Sequence, residues 1–272
     1  MTSQTTTRIT ARFGNLRANN AKGLVVYLTA GDPNLDATGE LLVALDRAGV
    51  DVIELGVPFS DPLADGPVIQ RASERALRSG TTLRKILERF PGWRQAVNAP
   101  VILFSYFNPI LQYGLENFAV RGAEAGVDGA LVVDLTVEEA EGYVQAMRAH
   151  NLDTVFLASP TSTDARLARA AELSTGFLYL ISRTGVTGER SEMAASGRLL
   201  TERARRLTSL PLAMGFGIST AAQVREVQSH ADAAVVGSAV VHAIEERFAR
   251  EGAAAIEKMV RALRNGTEDQ PA

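Results

Sequence analysis

Eight short apolar runs alternate along the chain with longer stretches of helical spacing. In the helical stretches apolar residues recur three and four positions apart, as in NLDATGELLVALDRAG, where Gly49 predicts the helix end. The Val, Leu and Ile of each apolar run are nearly continuous, which is typical of parallel strands covered on both faces. The runs are LVVYLTA (24–30), DVIELGV (51–57), PVILFSYF (100–107), GALVVDL (129–135), TVFLAS (154–159), FLYLIS (177–182), LPLAMGF (210–216) and AAVVGSA (233–239).

This alternation predicts an α/β fold, a single (β/α)8 TIM barrel over residues 1–272. The length agrees with the roughly 250 residues typical of such barrels, and no linker or shift in composition indicates a second domain. An amphipathic stretch at about 7–20 predicts an extra N-terminal helix, and the polar tail at about 265–272 is expected to fray. A doubly wound open sheet is the alternative, because strand number alone does not exclude it.

Composition excludes several classes of function. The net charge of −3 favours neither nucleic acid nor an anionic membrane as a partner. The absence of cysteine excludes disulfides, thiol nucleophiles and thiolate metal sites. The Thr-rich start lacks the apolar core of a signal peptide, and no run approaches the roughly 18 apolar residues of a membrane span. A cytoplasmic location is therefore expected.

The residues at the predicted strand ends restrict the chemistry further, because barrel active sites lie there. The histidines fall in or just after predicted helices, so no metal site is expected from them, and the lysines are not placed for imine chemistry. Carboxylates, tyrosines, hydroxyls and glycines remain as candidates. The histidines are His150, His230 and His242, and the lysines are Lys22, Lys85 and Lys258.

Glu54 is the most informative candidate, because it stands at the end of the second apolar run, in ELGVPFSDPLADGP. A buried ionised carboxylate without a partner is costly, so this residue should be paired, neutral or catalytic. A raised pKa would suit it for proton transfer, whereas an ion pair with an arginine is the structural alternative. In the following loop Asp61 is typical of a turn, and Asp65 is either a turn residue or functional.

Glycine-rich turns after the last three runs predict a phosphate site. They are GVTG, GFG and GS, and phosphate in barrels is often bound by the loops after strands 7 and 8. Gly237 and Ser238 lead directly into a helical stretch, which Ser238 is predicted to cap. No Walker motif or dinucleotide fingerprint occurs, so a nucleotide is not expected.

Six segments together resemble the alpha subunit of tryptophan synthase, from about residue 17 to about 260. They are YLTAGDP, ELGVPFSDPLADGPVIQ, YFNPILQYG, YLISRTGVTG, MGFGIS and VVGSAVV. The resemblance implies a barrel lyase that cleaves indole-3-glycerol phosphate to indole and glyceraldehyde 3-phosphate by a retro-aldol reaction. It also implies a partner β subunit that carries pyridoxal phosphate, in an α2β2 heterotetramer, and no cofactor or metal on this chain.

The resemblance assigns roles to individual residues. It makes Glu54 the proton donor and acceptor, Asp65 the acceptor for the indole N–H, and Tyr179 the residue beside the glutamate. It implies phosphate donors at Gly188, Gly217, Gly237 and Ser238, a lid contact at Thr187, and an indole pocket formed by Tyr27, Phe104, Tyr106, Leu131, Phe216 and Ile218. For the pocket residues a plain core position is an equal alternative.

Thr136 departs from the family pattern, which commonly has proline at this point after Asp-Leu. A less rigid loop is expected there, with an effect on partner coupling rather than on catalysis. Three other functions stay open: a free-standing indole-glycerol-phosphate lyase, a weakly catalytic subunit that activates the β chain, and a phosphosugar isomerase or epimerase.

Overall fold

The computed structural model describes residues 6–181, 190–215 and 217–266. Parallel strands alternate with helices throughout this part of the chain. The strands are β1 (Gly23–Thr29), β2 (Val52–Gly56), β3 (Val101–Ser105), β4 (Gly129–Val132), β5 (Asp153–Val155), β6 (Leu157–Ala158), β7 (Leu178–Ile181), β8 (Leu212–Gly215) and β9 (Ala233–Val236). The helices are α1 (Arg8–Ala18), α2 (Leu35–Arg47), α3 (Pro67–Arg78), α4 (Leu83–Ala96), α5 (Phe107–Tyr113), α6 (Leu115–Ala125), α7 (Glu141–Ala149), α8 (Asp164–Leu173), α9 (Arg190–Leu207), α10 (Ala221–Gln228), α11 (Ser238–Glu251) and α12 (Ala253–Asn265).

The strands form one parallel sheet that closes on itself. Their order is β5-β4-β3-β2-β1-β9-β8-β7-β6. The two end strands are consecutive segments of a single stretch, separated only by Phe156, so β5 pairs with β4 and β6 pairs with β7. The Phe156 carbonyl accepts the N–H of Tyr179 at 3.0 Å, which continues the pairing across the break. The predicted eight-stranded barrel is therefore confirmed, and the open sheet is excluded.

Alternate residues of each strand face the two sides of the barrel wall. One apolar cluster fills the interior and includes Val25, Val52 and Ile102, whereas a larger cluster with Leu24 and Ile53 lies between the strands and the helices. Because both faces are buried, the strands are apolar almost throughout, as the sequence predicted.

Helix α1 confirms the predicted N-terminal helix to within about two residues at each end. Its side chains Ile9, Phe13 and Leu16 belong to the interior cluster, and the ring of Phe13 lies 5.8 Å from that of Phe177. The helix therefore covers one end of the barrel interior. Because the first residues of the strands lie at this end, the opposite, carboxyl-terminal end is left for a ligand.

Aspartates just before three strands fix the register of their neighbours. Asp51, Asp128 and Asp232 accept the backbone N–H of Leu24, Val101 and Leu212 at 2.7–2.8 Å. Each of these carboxylates also contacts at least one arginine. If the register of any of these neighbouring strands slipped by one residue, the carboxylate would lose its N–H donor, and a buried or half-buried charge would be left unpaired.

Four other expectations have different outcomes. The part of the tail from residue 267 lies outside the described residues, and the single-domain assignment stays a prediction. No helix in the described ranges is long and apolar enough to span a bilayer. The predicted end of the second helix is confirmed, since α2 ends at Arg47 and Gly49 follows with φ of 85°.

We predict that Asp51→Ala lowers the free energy of unfolding by about 3–5 kcal/mol, measured by urea denaturation. Asp51 is fully buried, and its loss strands Arg12, Arg264 and the N–H of Leu24. The matched control is Asp36→Ala, which removes an exposed aspartate that also pairs with an arginine and should cost no more than about 1 kcal/mol. Equal losses in the two variants would contradict a structural role for Asp51.

Candidate functional site

The inward-facing positions near the carboxyl ends of the strands bring three predicted residues together. Tyr27 of β1 is the direct neighbour of Glu54 in β2, and Tyr179 lies on β7 across the barrel interior. Glu54 points inward because it alternates with Val52, a member of the interior cluster. The barrel wall itself therefore carries the acidic residue, rather than a loop.

Glu54 is 1 % exposed, and its Oε1 has no hydrogen-bond partner in the described part of the chain. Burial alone raises the pKa of this carboxyl from 4.5 to about 8. No arginine among the described residues forms an ion pair with it, so the structural alternative lacks support. At neutral pH Glu54 is therefore mainly a neutral acid with a proton to donate.

Two glycines make room for the tyrosine hydroxyls beside Glu54. A Cβ on Gly56 would lie 2.1 Å from the Tyr27 hydroxyl oxygen, and a Cβ on Gly215 would lie 2.5 Å from that of Tyr179. Burial, followed by the negative charge of Glu54, raises the pKa of the Tyr179 phenol. Tyr179 therefore lies within the electrostatic field of Glu54 and stays protonated, which makes it a hydrogen-bond donor.

Asp65 lies in the loop between β2 and α3, close to Tyr27. It is half-buried, and burial raises the pKa of its carboxyl to about 6, against an opposing hydrogen-bond contribution from Tyr106. The charges of Asp65 and Glu54 both raise the pKa of Tyr27, so both carboxyls lie near that side chain. The loop contains a turn at Asp61, whose carbonyl accepts the N–H of Leu63 at 2.9 Å, in agreement with the interpretation of this residue as a turn former.

The start of α11 forms the other side of the site. Gly237 is the N-cap, no side chain caps the helix, and the Cβ of Tyr27 lies 3.5 Å from where a Cβ of Gly237 would be. Backbone bonds to the Gly237 carbonyl begin at Val240, so the N–H groups of Ser238 and Ala239 have no intrahelical acceptor. The predicted capping role of Ser238 is wrong, because Gly237 occupies the N-cap position and has no side chain, and Ser238 is already the first helical residue.

The remaining predicted residues divide into three groups. Phe104 lies edge-on to Tyr27, with ring centroids 5.3 Å apart, and Tyr106 is 5 % exposed. Leu131 belongs to the interior cluster below them, whereas Ile218 packs between the strands and the helices, so the pocket role of Ile218 has no support from its packing. Gly217 is exposed with φ of 73°. Thr187, Gly188 and Phe216 lie outside the described residues.

Sequence reasoning missed the purpose of Gly56 and Gly215. Both continue the inward-facing register of their strands, and both leave space for a tyrosine ring. A glycine at an inward position of an otherwise bulky strand is the signal that could have revealed this.

Within the described ranges, no group of three or more His, Asp or Glu side chains is arranged to hold a metal ion.

The comparisons with known proteins agree with this geometry. Residues 13–269 match the family model described as tryptophan synthase alpha chain. The chain is 53% identical over 263 residues to the tryptophan synthase alpha chain of Solibacter usitatus, covering 96% of this chain and 98% of that protein. It is 47% identical over 257 residues to the one from Geobacter sulfurreducens, covering 94% and 97%.

Solved structures show the same fold. The chain superimposes on tryptophan synthase subunit alpha from Legionella pneumophila with a TM-score of 0.89 and 37% identity, covering 96% of this chain and 98% of that one. It superimposes on a chain of aminoacrylate-bound tryptophan synthase from M. tuberculosis with a TM-score of 0.86 and 35% identity, covering 96% and 100%. With a buried carboxylic acid at the mouth of a parallel barrel and these full-length matches, the chain belongs to the tryptophan synthase alpha chain family, the TIM-barrel lyases of tryptophan biosynthesis that need no cofactor of their own.

Proposed function

We propose that Glu54, Asp65 and Tyr179 carry out the family's cleavage of indole-3-glycerol phosphate in this chain. The observation that supports this most directly is the buried, unpartnered carboxyl of Glu54 at the carboxyl end of β2, with a pKa of about 8. A group with this pKa donates and accepts protons efficiently at neutral pH.

In the proposed reaction the Glu54 carboxylic acid protonates C3 of the indole ring. The ring then carries positive charge at its nitrogen, which the Asp65 carboxylate stabilises by accepting a hydrogen bond from the indole N–H. The Glu54 carboxylate next takes the proton of the hydroxyl on the carbon attached to C3. The carbon–carbon bond breaks, its electron pair returns to the ring to give indole, and the oxidised fragment leaves as glyceraldehyde 3-phosphate.

Other residues of the mouth hold the substrate and the acid. The Tyr179 hydroxyl stays neutral and, in the proposed reaction, orients Glu54 by donating a hydrogen bond to it. Tyr27 and Phe104 form an aromatic wall for the indole ring. The phosphate is bound by the free N–H groups at the start of α11, near Gly237 and Ser238, where the helix dipole favours an anion. Gly217, and Gly188 from outside the described residues, complete the proposed phosphate donors.

The surface around the Asp65 loop suits a β subunit as partner. Leu63 is 85 % exposed and Leu111, on α5, is 52 % exposed, and both follow neighbouring strands β2 and β3. We propose that these two leucines, one in the loop after β2 and one on the helix after β3, belong to the surface that a β subunit covers. Related solved structures are of tryptophan synthase itself, which supports a β-subunit partner; the α2β2 arrangement, with pyridoxal phosphate on the partner, is part of this proposal.

We predict that Glu54→Gln lowers kcat for indole release by at least about 100-fold, because glutamine cannot transfer the proton. The matched control is Glu172→Gln, the same exchange at an exposed glutamate of α8 that pairs with Arg169 on its own helix, and it should keep near-native activity. Indole formation from indole-3-glycerol phosphate is measured with and without a β subunit. Near-native turnover by Glu54→Gln would refute the mechanism, and turnover only in the presence of the β subunit would favour an obligate complex.

The same substitution should change how stability depends on pH. Glu54 has a folded-state pKa of about 8, above its ordinary 4.5, so between these values the folded state binds more protons than the unfolded state. The contribution of Glu54 to stability is therefore lost as pH rises through this window, by at most about 1.4 kcal/mol per pH unit. Urea denaturation from pH 5 to 9 should show this decline in the native chain and a smaller one in Glu54→Gln; parallel curves would contradict a buried neutral Glu54.

We predict a bell-shaped dependence of kcat/KM on pH. Asp65 must be ionised, so activity falls below about pH 6, and Glu54 must be protonated, so activity falls above about pH 8. Asp65→Asn should lose the acidic limb together with most of its activity, whereas the basic limb should persist. A flat profile between pH 5 and 9 would contradict both assignments.

We predict that Leu63→Asp combined with Leu111→Asp weakens binding of a β subunit by at least tenfold, because it places charges in a desolvated interface. The control is Leu199→Asp, which changes a leucine that is 60 % exposed on α9, a helix packed against β7 and β8. Complex formation is measured by analytical ultracentrifugation. If the control and the double variant weaken the complex equally, the surface around Leu63 and Leu111 is not the binding site for the β subunit.

A further inference from the structure

Tyr106 connects the ends of strands β2 and β3. It follows β3 directly and its side chain is almost fully buried, with its ring 5.1 Å from that of Phe59, in the loop after β2. At the tip of the side chain the hydroxyl oxygen accepts the backbone N–H of Ala64 at 2.9 Å. This bond uses a lone pair of the oxygen and leaves its own proton available as a donor.

Asp65 is the residue next to Ala64, and its carboxyl lies close enough to Tyr106 for the hydroxyl to lower the pKa of Asp65, in opposition to the effect of burial. One side chain thus binds the backbone beside Asp65 and favours the ionised form of its carboxyl. Gln70 of α3 holds the same segment from the other side, because its Nε2 donates to the Asp65 carbonyl at 2.8 Å.

Tyr106 is itself fixed by its own strand and by the next one. The Ser105 hydroxyl donates to the Tyr106 carbonyl at 2.9 Å, and Asp134, after β4, accepts the N–H of Phe107 at 2.7 Å. The backbone on both sides of the tyrosine is therefore held, and its ring packs against that of Phe59. A side chain restrained in this way can orient a loop residue at little further cost in entropy.

We propose that Tyr106 is the positioning residue for Asp65, which it holds toward the indole nitrogen through paired hydrogen bonds to Ala64 and to the Asp65 carboxylate. This inference rests on the proposed function of Asp65 and assigns Tyr106 a role beyond lining the pocket. The Tyr106 hydroxyl acts on the reaction only through Asp65, by fixing its direction and by stabilising its ionised form.

The charged and titratable groups around the pair set the direction of the expected effect. Tyr106 and Tyr27 face Asp65, the charge of Glu54 acts on Tyr27, and the charge of Asp134 acts on Tyr106. Burial raises the pKa of Asp65 and the Tyr106 hydroxyl lowers it, so removal of that hydroxyl should raise it further. The acidic limb of the pH profile then moves to higher pH, and the basic limb, which belongs to Glu54, stays in place.

The test is Tyr106→Phe in the full chain together with its β subunit, assayed for indole release across pH 5–9. We expect kcat to fall about tenfold at pH 7 with KM changed less than threefold, and the acidic limb to shift upward by about 0.5–1 pH unit. The control is Tyr143→Phe, which also removes one buried hydroxyl, a donor to the Ala130 carbonyl at 2.9 Å far from the Asp65 loop. It should reduce thermal stability without moving either limb.

A double-mutant cycle with Asp65→Asn decides between positioning and a direct role. If Tyr106 acts through Asp65, Tyr106→Phe causes less than a twofold further loss in the Asp65→Asn background. A tenfold loss in both backgrounds, or an unshifted acidic limb in Tyr106→Phe, overturns the proposal. Failure of the native chain to cleave indole-3-glycerol phosphate would instead refute the proposed function, so the two failures are distinguishable.

Discussion

The closed ring of parallel strands is the constraint on which the site depends. Closure removes both sheet edges and creates an interior that only inward-facing side chains can fill. Helix α1 covers one end of this interior with Ile9, Phe13 and Leu16, which leaves the other end for a ligand. A carboxyl placed on the wall near that open end, such as Glu54, is surrounded by apolar strands on both sides and has no solvent to stabilise its charge. The high pKa of Glu54 is therefore a direct consequence of barrel architecture.

The mouth of the barrel shows how small residues determine the placement of large ones. The rings of Tyr27 and Tyr179 occupy the space above Gly56 and Gly215, where any larger residue would overlap the tyrosine hydroxyl. Because both phenols are buried near Glu54, they remain neutral and keep a proton that they can donate. The geometry of the acid thus depends on residues that have no chemical function of their own.

Much of the fold was predictable from the sequence because apolar runs and helical periodicity reflect local burial. All eight runs contain strands, but the break at Phe156 was not predicted. It arises because the segment before Phe156 pairs with β4 and the segment after it pairs with β7, and these pairings are not visible in the run itself. Within the site, Glu54 was predictable from the cost of burying a carboxylate at a strand end. Asp65 needed the family resemblance, because a loop sequence does not show where its side chain points. The assignment of Ser238 as a cap failed because sequence spacing cannot locate a helix start to one residue.

In the proposed reaction the two carboxyls need opposite protonation states at the same pH, and the fold supplies different surroundings for each. Glu54 lies in the wall, where its Oε1 has no partner among the described residues, so its neutral form is favoured. Asp65 lies in a loop, only half-buried and within reach of a phenol donor, so its ionised form persists to lower pH. The proposed reaction requires, in one catalytic cycle, both an acid that donates to carbon and an anion that stabilises positive charge at nitrogen. A wall position and a loop position meet these two demands, because solvent access and the Tyr106 hydroxyl beside Asp65 together separate the two pKa values.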